Sequence, residues 1–135
     1  KPILITQNQV IKMKITKKSV VDIRNHCRKT PHLESCGYVF GEDSMVQSIM
    51  CGRNLDKSPV TYTIDPETTF ESVFRKDFEG VYHSHLGEAF PSGIDRAKKK
   101  YPNKHYLIYS LSKDTLRSYL WDGKEFHEEE IEVIE

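Results

Sequence analysis

The stretch VYHSHLGEAFPSGID, residues 81–95, begins as a β-branched and aromatic run, carries two histidines one residue apart, and leaves through Pro-Ser into a helix start. On a strand, residues i and i+2 share a face, so His83 and His85 can aim their imidazoles at one point while Ser84 points the other way. Ser92 and Asp95 lie three apart, on one side of a first helical turn. Two readings stand open. In one, Ser92 is an ordinary N-cap and Asp95 favours the positive end of the helix. In the other, two histidines and a carboxylate form a catalytic zinc set with water in the fourth position. A lone HxH does not decide between them.

Working outward, VIKMKIT (10–16) alternates apolar and basic residues and reads as a half-buried strand. From Ser19 to Arg28, Val20, Val21, Ile23 and Cys27 fall near helical spacing, and the helix stops before Pro31. ESCGYVFGED (34–43) followed by MVQSIMCGRNL (45–55) reads as a hairpin. TYTID (61–65) is expected to be a short strand, and Pro66 opens a helix running to about Phe78. EGVYHSH is a strand, PSGIDRAKKKY a helix start, and HYLIYSL a buried strand. The closing TLRSYLWDGKEFHEEEIEVI is a hairpin turning at Asp122-Gly123. The order predicts an α/β or α+β domain whose mixed sheet is flanked by helices. No Gly-rich phosphate loop follows any strand, so a nucleotide fold has no support.

With 135 residues the length predicts one domain, and 20 Lys plus Arg against 20 Asp plus Glu leave no net charge. That argues against a bulk electrostatic binder of nucleic acid or membrane. The one dense basic cluster, Arg96 to Lys100, reads as a solvated helix face. Cys27, Cys36 and Cys51 show no CxxC spacing and read as reduced thiols. No apolar run approaches membrane-spanning length and no leader pattern is legible, so the expected location is cytoplasmic.

Taken jointly, Glu34 in LESCGYVFGE, His83 and His85 in HSH, and Ser92 and Asp95 in PSGID resemble the JAMM (MPN-domain, Mov34/PAD-1-like) zinc metalloproteases. The motif of that family is a glutamate, then H-x-H, then Ser-x-x-Asp. The helix before the glutamate, TYTIDP with its helix, and the strand entering HSH also follow in family order. The resemblance implies an MPN (cytidine-deaminase-like) fold, a curved mixed β-sheet flanked by helices, with residues 1–135 as one catalytic domain of the compact prokaryotic type. Two departures stand out. Leu86 occupies the position of the family's proline, and nine residues, 86–94, separate His85 from Asp95 where the family has ten. Because Pro-Ser-x-x-Asp is intact, the shortening falls in LGEAF, and Glu88 becomes the weaker alternative for the third ligand.

The resemblance also implies roles. His83, His85 and Asp95 would hold zinc (Zn2+), Glu34 would act as general base, and Ser92 would donate its hydroxyl to the developing oxyanion. Without the motif, Glu34 would read as an exposed glutamate at a strand start. Cys36, near the site, reads as a small buried strand residue, with a redox influence as the alternative. His26, His32, His105 and His127 read as surface or satisfied structural histidines, and Trp121 as packing. The implied partner is the C-terminal tail of a ubiquitin-like or sulfur-carrier protein, cleaved after glycine. Residues 51–62 and 86–90 are the expected groove walls. Alternatives are a metal-free MPN scaffold, whose members lack the ligand set, or release of a small amino acid such as cysteine from a carrier protein. The sequence does not speak to oligomeric state.

Overall fold

Residues 11–135 are described by the structure, a computed structural model. Ten elements follow in chain order. They are β1 (Lys12–Thr16), α1 (Lys17–Lys29), β2 (Cys36–Glu42), β3 (Met45–Cys51), α2 (Pro66–Val73), β4 (Phe78–His85), α3 (Gly93–Ala97), β5 (Lys104–Ser110), β6 (Thr115–Trp121) and β7 (Phe126–Ile134). Of the strand expected over 10–16, Val10 lies outside the described residues.

Local chemistry explains most boundaries. Thr16 caps α1, its hydroxyl accepting the Ser19 N–H at 3.2 Å. The buried stripe of that helix is Ser19, Ile23 and Cys27, one residue every turn, whereas Val21 is exposed. Asp43 and Ser44 both take positive φ, 52° and 59°, the pairing a tight hairpin needs to match the twist of β2 and β3. Asp65 caps α2 and Pro66 occupies its first turn. Asp122 Oδ1 accepts the N–H groups of Lys124 and Glu125, closing the β6–β7 turn.

Three expectations need correction. TYTID is no strand: only an isolated bridge joins Ile64 to Asn54, and the Asn54 side chain takes the Thr61 carbonyl and the Thr63 N–H that a ladder would use. The helix from Pro66 ends at Val73, and Phe78 already belongs to β4. The basic run is not a solvated helix face either. After Ala97 the chain leaves the helix, and Lys98 turns inward against Tyr62.

The sheet order is β1-β3-β2-β4-β5-β6-β7, and it closes because β1 pairs in parallel with both β3 and β7. A mixed sheet with helices is as expected; its curvature carried to closure was not. Both faces of the central strands are covered. Val39, Tyr82 and Leu107 pack with Ile23 and Cys27 of α1, while Tyr38, Phe40, Val81 and Tyr106 pack with Tyr62 and Phe78. This two-sided burial is why β2 reads as an almost continuous apolar run. Gly37 is required by it, since a Cβ there would meet Met50 O at 2.4 Å and the Tyr82 ring at 2.5 Å. Among the described residues no helix is long and apolar enough to cross a membrane.

One connection positions the site. β4 and β5 run parallel, and parallel neighbours need a long crossover. Residues 86–103 form it, leaving β4 at His85 and carrying α3 back over the strand ends.

Candidate metal centre

At the C-terminal end of β4, alternation places His83 and His85 on one side with Ser84 between them on the other. Ser84 is not idle. Its Oγ accepts the Ser35 N–H at 2.9 Å, and its own N–H donates to Ser35 O at 3.0 Å. These bonds, continued by the Cys36–His83 pairing, bring Glu34 beside the histidines from 49 positions away. Asn54 fastens the same segment from outside. Its Nδ2 donates to Glu34 O at 3.0 Å and to Thr61 O at 2.9 Å, while Glu34 N donates to Ser58 O.

Four side chains converge. His83 Nε2 and His85 Nε2 lie 3.1 Å apart, and Asp95 Oδ2 lies 3.2 Å from the first and 3.0 Å from the second. Glu34 Oε2 stands 3.9 Å from His85 Nε2. One ligand atom from each of the four lies within 4.8 Å of every other. Ser92 Oγ accepts the Asp95 N–H at 3.0 Å, and Asp95 Oδ2 accepts the Ser92 N–H at 2.9 Å, a reciprocal capping box at the start of α3. Glu88 is elsewhere: its carboxylate is exposed and lies 3.7 Å from Lys113, although its backbone carbonyl accepts from His85 Nδ1 at 3.0 Å.

These groups fit a small divalent cation. Ligands about 2.0–2.1 Å from a tetrahedral ion stand about 3.4 Å from one another, close to the spacing of the three inner atoms. The Glu88 carbonyl accepts a hydrogen bond from His85 Nδ1–H, which turns Nε2 toward Asp95 and His83. Protonation follows the surroundings. Burial lowers His83 and favours the neutral imidazole. Burial acts to raise Asp95, but hydrogen bonds with His83 and His85 outweigh it and hold the carboxylate far below its ordinary range. Burial also pushes the Glu34 carboxyl up to about 7, and its Oε1 is buried without a hydrogen-bond partner. A buried, unpaired carboxyl oxygen is costly unless something it is built to meet arrives there.

Beside this cluster a cleft opens to solvent, lined by Glu34, Pro59, Val60, His85, Leu86, Gly87, Glu88, Ser92 and Ile94. Parts of both segments expected as walls therefore do face it. The sequence reading gave no individual role to Tyr62, stacked on His83 with centroids 4.6 Å apart, or to the hub Asn54. Both lie in 51–62, expected as a groove wall, but no local pattern there marked either side chain for a contact with the motif residues. Cys36 is fully buried, and burial pushes its thiol up to about 12, far from a reactive thiolate.

The remaining histidines sit apart from the cluster. His26 Nδ1 is bonded to Tyr82 OH at 2.5 Å, His105 Nδ1 to Glu129 at 2.7 Å, and His127 Nε2 to Asp122 at 2.7 Å, while His32 is exposed. Asp122, Glu125 and His127 also stand within ligand distance of one another, but the Asp122 carboxylate is committed to its turn.

Residues 16–122 match the family described as prokaryotic homologues of the JAB domain. A desampylase from Pyrococcus furiosus is 32% identical over 77 residues. That match covers 52% of this chain and 55% of the relative, so the chain spans about half the length of that protein. A solution structure of a protein from Desulfitobacterium hafniense is 31% identical, with a TM-score of 0.81 over 91% of this chain and 93% of the other. A JAB1/MPN domain protein from Archaeoglobus fulgidus shares the fold at 16% identity, with a TM-score of 0.62 over 92% of this chain and 98% of its own. So does a JAMM structure described as a metalloprotease-like zinc site in the proteasome and signalosome, at 17% identity and a TM-score of 0.62, covering 92% and 99%. The chain belongs to the family of prokaryotic homologues of the JAB domain.

Proposed function

We propose that this protein is a zinc-dependent isopeptidase that hydrolyses the amide bond after the C-terminal glycine of a ubiquitin-like or sulfur-carrier protein conjugate. The observation that carries the reading is the convergence of His83, His85 and Asp95 beside the buried, half-unpaired carboxyl of Glu34, at the wall of an open cleft. The likeness to a desampylase supports the substrate class. The intact ligand set weighs against a metal-free scaffold.

In this reading His83, His85 and Asp95 hold the ion, which when bound acidifies water and polarises a carbonyl. Glu34 takes the proton from the attacking water and returns it to the departing amine, and a carboxyl near 7 can do both at neutral pH. Ser92, whose oxygen caps α3, retains its hydroxyl hydrogen to donate to the oxyanion. Pro59 and Val60 on one side and Leu86 and Gly87 on the other receive an extended tail. Glycine at the scissile position lets the backbone approach ligands packed this closely.

The test compares a ubiquitin-like conjugate with one carrying bulky residues in place of the tail glycines. We expect cleavage of the first and little of the second, with casein left intact. Equal cleavage of both conjugates, or ready digestion of casein, would make the protein a general peptidase.

A further inference from the structure

Of the three residues read as metal ligands, two have an evident orienting partner. The His85 ring is held by the Glu88 carbonyl at 3.0 Å, and the Asp95 carboxylate by the Ser92 N–H at 2.9 Å. His83 is different. It is 2% exposed, and its Nδ1 has no hydrogen-bond partner, where a ligand histidine ordinarily gives its second N–H to an acceptor. The terminal torsion of such a ring is intrinsically broad, so without that bond packing must fix its plane. The His85 ring meets it edge-on at 4.9 Å, and against its face lies the Tyr62 ring, 4.6 Å away and within 26° of parallel.

Tyr62 is itself clamped. Asn54 accepts the Thr63 N–H at 3.1 Å and donates to Thr61 O at 2.9 Å, gripping both neighbours of Tyr62. The Lys98 ammonium donates to the Tyr62 carbonyl and lies 3.5 Å from the ring centroid, a cation–π contact. The phenol is buried and no longer free to swing away.

We propose that Tyr62 is a positioning residue for metal binding, its clamped ring fixing the His83 imidazole plane in place of the missing hydrogen bond at Nδ1. The proposal rests on the reading of the cluster as a metal site. It makes the 51–65 loop part of the metal centre, holding the Glu34 backbone through Asn54 and orienting one histidine through Tyr62.

The experiment measures zinc affinity of the full chain by competition with a chromophoric chelator, for wild type, Tyr62→Phe and Tyr62→Met. Loss of an orienting partner typically weakens metal binding by about ten- to a hundredfold. We expect that loss for Tyr62→Met, and affinity near wild type for Tyr62→Phe, which keeps the ring. Equal affinity of Tyr62→Met and wild type would overturn the proposal, as would a Tyr62→Phe variant as weak as Tyr62→Met. A second measurement needs no variant to fold. In wild-type protein without metal, the carbon-bound protons of the His83 ring should be shifted upfield by the Tyr62 ring current in NMR spectra. Unshifted resonances would also overturn the stacking argument. Failure of wild type to bind zinc, with the upfield shift present, would instead count against the metal reading itself.

Discussion

Asp95 and Ser92 bond each other reciprocally, and the carboxylate oxygen that accepts the Ser92 N–H also lies 3.2 Å from His83 Nε2 and 3.0 Å from His85 Nε2. One capping box therefore aims a carboxylate at two imidazoles. The helix cap and the candidate metal cluster share one atom, Asp95 Oδ2. Ser92→Ala separates the roles of the serine. Loss of the cap alone costs about 1 kcal/mol of stability. If the hydroxyl also stabilises the oxyanion, kcat should fall about a hundred- to a thousandfold. Steady-state kinetics beside thermal melts decide it, and unchanged kcat with a lowered Tm would leave Ser92 as a cap only.

The third ligand is open to a direct comparison. Asp95→Ala should abolish near-stoichiometric zinc in metal analysis, as should His83→Ala. Glu88→Ala should leave it intact, because that carboxylate faces Lys113 and only its backbone carbonyl serves His85. Zinc retained in Asp95→Ala and lost in Glu88→Ala would move the ligand into the 86–90 segment.

Glu34→Gln keeps the shape of the side chain and removes its charge. We expect zinc content and fold to persist while turnover drops about a hundred- to ten-thousandfold, the range for a lost general base. Loss of zinc in this variant would make Glu34 a ligand, and turnover like wild type would remove it from the chemistry.

A buried charge pair remote from the cluster sets a pH dependence of stability. His105 Nδ1 lies 2.7 Å from Glu129 Oε2, and its Nε2 lies 3.5 Å from Glu79. Burial acts to lower the imidazolium, but the hydrogen bonds and charges of the two glutamates prevail and raise it to about 9. A folded-state value above the unfolded one, about 6.5, means the protonated ring favours the fold. That stabilisation is complete below about pH 6.5 and disappears as pH climbs to about 9, a change on the order of 3 kcal/mol. Urea melts across this window should show it, and His105→Gln should flatten the slope. A wild-type curve as flat as the variant's would refute the assignment.

Much of this protein was legible in its sequence. The alternation of HSH alone puts His83 and His85 on one side, and Ser92 three before Asp95 makes the cap, because both depend on local backbone geometry with fixed periods. The turn at 43–44, the proline opening α2 and the strand–helix order follow from equally local rules. Three matters were decided only by tertiary structure. Closure of the sheet depends on β1 pairing in parallel with β3 and β7, contacts between distant segments with no local signature. That the Asp95 carboxylate, and not that of Glu88, stands beside the histidines depends on where the crossover returns, which the spacing of nine residues leaves open. The stacking of Tyr62 on His83 and the grip of Asn54 on Glu34 arise where a loop without regular structure folds back on a strand end. Periodicity reports which face of an element a residue occupies; only the packed chain determines what that face meets.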